Sequence, residues 1–463
     1  MDLTKFIANL NKVTQLLWKN RIIIALLGFS LLIRVYIFQN IRPGFHTDSI
    51  SYLILSDLET VRTPGYPLFI EAIQFINDLF SLTPNYLGWI VLVQMFLLGT
   101  LNCFLIYKLA KIITGNDIFS FVAGILYNFD YLVMGFEFSI LTETLSITLT
   151  LITLLFYLEM FEGKRYAPYA AGLSSVYLLL TRPTFLSLFL GLLFITAIVY
   201  FRKIIKEGFF KHFRKAILIF LLINFAGIAS WSLRNKIEFD YFGISSLLPY
   251  QLRHYTNNFF HKYKKDDNEL MNTMADIYLE ENLNAASFEA RLMYEMNLSG
   301  PEVSRLFLKM HLKLIRDNPG DYIKQIPAAI SKYYGVYSFW WTVPHQKKLL
   351  NKRKHVSRIL RFFFNIYKFL FTNFIAQIIL LIIMPIILLF FVRKNKRVFH
   401  LVCLCEFVIN YNFLVSVLSC NADNLRYRVP VEPLIVLIFL SSSFLFGKSA
   451  FKSIKTILHK KPL

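Results

Sequence analysis

Residues 22–38 read IIIALLGFSLLIRVYIF, and shortly after them come 45–53, FHTDSISYL, and 62–67, RTPGYP. The first run is apolar apart from Arg34 and Ser30, and as a helix it is about long enough to cross a hydrocarbon core of roughly 30 Å. Comparable runs recur at 86–107, 118–134, 142–160, 169–183, 184–201, 216–232, 367–392, 398–418 and 431–447, which predicts about ten transmembrane helices. A hydrophobic content of 56% and 47 phenylalanines among 463 residues, with a mean hydropathy of +0.50, exclude an ordinary soluble domain. The expected fold class is an all-α polytopic membrane protein.

The formal charge is +21, from 50 Lys and Arg against 29 Asp and Glu. In a soluble chain this would point to nucleic acid, but no base-reading motif accompanies it, and no nucleic-acid partner is expected. The basic residues fall in alternate loops: Lys5, Lys12, Lys19 and Arg21, then Lys108 and Lys111, Lys164 and Arg165, RKIIKEGFFKHFRK, RKNKR and the tail KSAFKSIKTILHKK. By the positive-inside rule these loops and both termini are cytoplasmic, with anionic membrane lipids as their partners. The first twenty residues carry the amphipathic pattern of an interfacial helix and lack a signal-peptide cleavage site. Cys103, Cys403, Cys405 and Cys420 form neither a disulfide framework nor a zinc spacing.

Two outer segments, 39–85 and 233–365, are too long and too polar to be connectors. They divide the chain into an N-terminal transmembrane module, 1–232, an extracytoplasmic, mainly helical loop domain, 233–365, and a C-terminal transmembrane module, 366–463. In the first segment Ile50, Leu53, Ile54 and Leu58 repeat at helical spacing and predict a short surface helix. RTPGYP ends it, and LFIEAIQFINDLF, with Glu71, Gln74 and Asp78 on one stripe, predicts a second. In the loop domain GPEVSRLFLKMHLKLIRDNPG has a first-turn proline and an Asn-Pro-Gly stop, as an amphipathic helix should. The Tyr- and Trp-rich GVYSFWW suits an interface belt.

Ionisable residues collect at the outer ends of the spans: His46, Asp48, Asp57, Glu59 and Arg62, then Glu137 and Glu143, Arg182 in TRPTF, Arg234 in SWSLRN, and Asp423, Arg426 and Arg428 in NADNLRYRVPVEP. Charged groups in such places are costly and tend to be functional. Acids near the first loop and arginines near the last turn could bracket a ligand that is anionic at one end and presents a hydroxyl at the other. Plainer readings stand beside this one. Asp48 occupies an N-cap position, Glu143 a first helical turn that favours an acid, and Arg426 and Arg428 can snorkel to head groups. His46 reads as structural, because no HExxH-like spacing accompanies it.

Asp48 with Tyr52 and RTPGYPLF resembles the first outer loop of the GT-C class of membrane glycosyltransferases, which includes protein O-mannosyltransferases and lipid A aminoarabinose transferases. LTETL, TRPTF, SWSLRN, NPGDYI and RYRVPVEP resemble, in the same order, segments of bacterial members over nearly the whole chain. Two positions depart: many members have a second acid where this chain has Ser49, and a proline often found before the tryptophan of SWSLRN is absent. The resemblance implies transfer of a sugar, with inversion, from a polyprenyl-phosphate donor to a hydroxyl of a lipid, glycan or protein acceptor. It also implies an extracytoplasmic site on a bacterial inner membrane. Under it Asp48 would be the general base, and Arg426, Arg428 and Arg234 would meet the lipid phosphate. Tyr66 would be presented by the RTPGYP bend, and Glu143 would orient the acceptor or a divalent cation, the sole cofactor under consideration. Two other functions stay open. One is an O-antigen polymerase or ligase acting on a lipid-linked pyrophosphate. The other is a lipid-linked saccharide transporter or flippase, for which broken spans with polar residues such as Asn128 and Asp130 are expected.

Overall fold

The computed structural model describes residues 20–40, 44–53, 60–81, 86–202, 209–265, 268–282, 284–335, 354–372, 376–377, 379–422 and 424–459. The expected N-terminal interfacial helix, the Tyr and Trp cluster after Gly335, and Asp57, Glu59 and Asp423 lie outside these residues. Among the described residues every regular element is helical, and the β pairing is an isolated bridge between Gly44 and Ser139. Among the described residues six helices are long and apolar enough to cross a membrane: Arg21–Asn40, Leu87–Thr114, Glu143–Met160, Phe213–Phe239, Lys396–Ser419 and Asn424–Ser453. A seventh results if Asp117–Tyr127 and Tyr131–Glu137, bent by 59°, cross as one.

Length and composition therefore give six or seven spans where ten were predicted. The other three segments give shorter apolar helices among the described residues: Ala167–Thr181 has 15 residues, and Pro183–Val199 and Ile379–Val392 are of similar size. At 1.5 Å per residue such a helix reaches only about 22 Å. The run 169–201 is divided at Arg182, whose backbone is extended (φ −141°, ψ 109°) ahead of Pro183. A proline lacks the N–H that would carry the helix on.

The bridge fastens the first loop to the turn that leads into Glu143–Met160. The Gly44 N–H donates to the Phe138 carbonyl at 2.7 Å, and the Ile140 N–H donates to the Gly44 carbonyl at 3.2 Å. Ser49, in place of the second acid, donates its hydroxyl to the Ile140 carbonyl at 2.9 Å and accepts from the His46 N–H at 2.9 Å. The short helix Thr47–Leu53 follows. RTPGYP then opens the next helix, since Gly65 and Pro67 lie in the first turn of Gly65–Leu79, where proline forfeits no hydrogen bond. Gly65 also lets this helix approach Ala167–Thr181 closely, because a Cβ there would stand 2.6 Å from the Leu180 carbonyl.

The loop domain has its own apolar core of Phe260, Met274, Tyr278, Phe288, Phe307 and Met310. Its longest helix, Gly300–Asp317, begins with a capping box in which the Ser299 N–H donates to Glu302 at 2.9 Å. Hydrogen bonds fix the domain's entrance against the first loop: the Ser246 N–H donates to the Thr60 carbonyl at 2.8 Å, the Ser246 and Thr60 hydroxyls pair at 2.8 Å, and the Ser245 hydroxyl donates to the Val61 carbonyl at 2.7 Å. At its exit, helix Ile326–Tyr333 docks on the end of the bundle, where Tyr333 donates to Asn412 at 2.8 Å.

Candidate functional site

Helix ends from four parts of the chain meet beneath the loop domain and enclose a cavity of about 610 Å³. Asp48 enters from Thr47–Leu53, Arg62 from the turn before Pro64, Arg182 from the TRPTF break, and Arg426 from the short helix Asn424–Arg428. Helix Leu248–Thr256 of the loop domain contributes Gln251, Arg253 and His254 to the same lining.

The charges form a connected chain. Arg62 Nη2 donates to Asp48 Oδ1 at 3.2 Å, and Arg426 Nη1 donates to Asp48 Oδ2 at 2.7 Å. Arg426 Nε reaches Glu143 Oε1 at 2.9 Å, Arg182 Nη2 stands 3.6 Å from the same oxygen, and Arg182 Nη1 donates to the Arg426 carbonyl at 3.2 Å. Glu143 is fully buried below the cavity, whereas the Asp48 side chain is about one third exposed. The N-cap reading of Asp48 is thereby set aside, since both of its oxygens serve arginines. Burial works to raise the Asp48 pKa, but Arg426 and then Arg62 outweigh it and hold the carboxyl below its ordinary range. Burial, and then the charge of Arg426, lower the His46 imidazole against the opposing pull of Glu143 and Asp48.

Of the six residues expected to act, three meet here: Asp48, Glu143 and Arg426. Arg428 does not line the cavity. It is fully buried, pairs with Glu432 at 2.6 Å and donates to the Tyr333 carbonyl at 2.7 Å, so it clamps helix Ile326–Tyr333 to the bundle. Arg426 and Arg428 are two residues apart on a helix, about 200° around its axis, and face different ways. Arg234 lies against the rings of Trp231 and Phe239, each 4.8 Å away, and pairs with Glu238 at 2.6 Å. It borders a separate apolar groove. Tyr66 is buried under Tyr52, and its hydroxyl donates to Gln94 rather than to the cavity. Glu137 is also withdrawn, in a paired contact with Arg34 at 2.7 and 3.0 Å inside the bundle.

Sequence reading noticed Arg62 and Arg182 but did not select them, and it passed over Arg253, which sits in a helix without a motif. Signals for the two misplaced arginines were present. Glu432 follows Arg428 and Glu238 follows Arg234 by four residues, the spacing of a helical ion pair. Among the described residues no three His, Cys, Asp or Glu side chains cluster as a metal site. A cation between Asp48 and Glu143 would have to displace Arg426. A comparison with protein-family models finds no match to this chain, and a comparison with curated protein sequences finds none either.

Proposed function

We propose that this chain is a membrane glycosyltransferase of the GT-C class, which moves a sugar from a polyprenyl-phosphate donor to an acceptor hydroxyl at the outer face of the membrane. In this reading the three shorter apolar helices also cross, giving ten spans with both termini cytoplasmic. The observation that carries the proposal is a cavity at one end of an apolar bundle in which Asp48, the single lining carboxylate among the described residues, stands among arginines. Beside it lies an apolar groove of about 410 Å³ bordered by Pro64, Leu68, Leu180, Gly227 and Trp231. Thr63 and Pro64, and Thr181 and Leu180, are chain neighbours that line one space each. An isoprenoid tail suits the groove, and phosphate suits guanidinium groups through their paired donors.

Asp48 held by two arginines is a weak base. A donor phosphate competes for those same N–H groups, and as they turn to it the carboxylate regains affinity for the acceptor's proton. The acceptor oxygen then bonds to the anomeric carbon while that carbon's bond to the phosphate oxygen breaks. The arginines stabilise the charge developing on the leaving phosphate, and Glu143 positions Arg426 from below. The ion pairs Lys164–Glu159 at 2.8 Å and Arg397–Glu162 at 2.6 Å gather basic loops at the far end of the bundle, which suits a cytoplasmic assignment of that end.

The bent pair around Asn128 and Asp130 is a feature a transporter would share. Its polar groups serve the local fold instead: Asp130 accepts from the Leu132 and Val133 N–H groups at 3.1 Å, and Asn128 donates to the Gly124 carbonyl at 2.9 Å. The test reconstitutes the purified protein in vesicles with a short-chain polyprenyl-phosphate sugar and follows both cleavage and crossing. Release of polyprenyl phosphate with a glycosylated acceptor supports the proposal. Crossing of intact donor without cleavage would replace it with the transporter reading.

A further inference from the structure

Three of the cavity's arginines answer to carboxylates. Arg62 and Arg426 hold Asp48, and Arg426 and Arg182 hold Glu143. The fourth, Arg253, comes from the loop domain and has no carboxylate partner among the described residues. Its Nε donates to the Tyr250 carbonyl at 3.2 Å, which fixes the side chain on its own helix, and the Tyr278 phenol is its neighbour. Asp48 is the single acid lining the cavity among the described residues, and Glu143 lies beneath it. Among the described residues, four guanidinium groups against two carboxylates leave an excess of two positive charges.

That excess can be set against the chemistry. A polyprenyl-phosphate sugar is a phosphodiester with one negative charge. When the bond from the anomeric carbon to oxygen breaks, the oxygen keeps the electron pair and the carrier leaves as a phosphate monoester with a second negative charge. The acceptor's proton passes to Asp48. With Asp48 ionised, an excess of two positive charges suits a free phosphate monoester better than a diester; in the reaction Asp48 is neutralised as the phosphate gains its second charge, which leaves its arginines to the phosphate, and stabilisation that grows along the reaction is the kind that accelerates it.

We infer that Arg253 is a phosphate-recognising residue which the loop domain contributes to this cavity, and that it makes the site prefer a phosphate monoester over a diester. The inference rests on the reading of the cavity as a lipid-phosphate site, and it makes the loop domain part of the reacting centre rather than a cover. Binding is measured at pH 8 with a short-chain prenyl monophosphate, its methyl diester and inorganic phosphate as probes. Wild type is expected to favour the monoester by roughly tenfold or more, the scale of one hydrogen bond to a charged group. Arg253→Gln is expected to lose about 10- to 100-fold in monoester affinity and much less for the diester. Arg253→Lys should fall between, and it decides the matter if the Gln variant does not fold. Arg291→Gln, at a half-buried arginine paired with Glu280 and Glu295 outside the cavity lining, should change neither affinity. Competition by inorganic phosphate at similar concentrations would assign the site to free phosphate, whereas competition by the prenyl monophosphate alone assigns it to a lipid head group. Unchanged monoester binding by both Arg253 variants, or equal loss for both esters, overturns the inference. Arg253-dependent binding without sugar transfer would instead sink the glycosyltransferase proposal and leave this one standing.

Discussion

Replacing Arg426 with methionine should destabilise the protein mainly through a residue it leaves behind. Arg426 makes two ion pairs, and their surroundings differ. The pair with Asp48 joins side chains that are 27% and 32% exposed, so water screens it and its loss costs under about 1 kcal/mol. The pair with Glu143 reaches a carboxylate with no exposure at all. Removing one partner of a buried pair costs roughly 3–5 kcal/mol, because the remaining charge is stranded. Arg182, at 3.6 Å from the same oxygen, offsets part of that, so about 3 kcal/mol is expected for Arg426→Met. Glu143→Gln removes the stranded charge, and the double variant should recover about 2 kcal/mol. A double-mutant cycle by chemical unfolding in mixed micelles measures this coupling. Energies that add to within about 0.5 kcal/mol would refute the assignment of Arg426 as the counter-ion of Glu143.

The same physics sorts the other residues. Arg428→Ala should cost about 3–5 kcal/mol by stranding the fully buried Glu432, yet the folded fraction should bind a prenyl-phosphate probe like wild type; a binding defect at full folding would return Arg428 to the site. Gly65→Ala should cost roughly 1–3 kcal/mol by forcing Gly65–Leu79 off Ala167–Thr181, and thermal unfolding of the variant checks it. His311 sits in the loop-domain core with Nδ1 2.8 Å from the Thr256 hydroxyl, and burial lowers its pKa from 6.5 to about 3. The unfolded chain takes up a proton that the fold refuses, so loop-domain stability should be full above about pH 6.5 and fall by up to ~1.4 kcal/mol per pH unit toward pH 3. Hydrogen exchange of loop-domain peptides across this range should show the slope in wild type and not in His311→Gln.

Much of the architecture was legible, because a charge inside or beside an apolar run is expensive and stands out. Asp48, Glu143 and Arg426 stood out that way, each at a helix end, while the helices Thr47–Leu53, Gly65–Leu79 and Gly300–Asp317 were legible from apolar spacing and proline positions. What composition cannot give is direction. RYR offers two arginines of equal chemistry, and only the helical turn between them sends Arg426 to the cavity and Arg428 to Glu432. Tyr66 was expected to be presented to the site by the proline bend, but it is buried and donates to Gln94. Arg253 depends on how a separate helical domain docks over the bundle, which no local pattern encodes. The ten apolar runs outnumber the six or seven helices of full crossing length because three of the runs, two of them parted at Arg182, give shorter helices among the described residues.

The central claim is that Asp48 accepts the acceptor's proton, and Asp48→Asn tests it most directly. The amide keeps the side chain's size and can still accept from an arginine, and the pairs it weakens are partly exposed, so stability should change by no more than about 1 kcal/mol. Sugar transfer from a short-chain polyprenyl-phosphate donor should fall by on the order of 10²- to 10⁴-fold, the usual worth of a general base. Transfer rate and melting temperature are to be read on the same preparation. A near-wild-type melting temperature with transfer lost is the expected result, and near-normal transfer by Asp48→Asn would contradict the account.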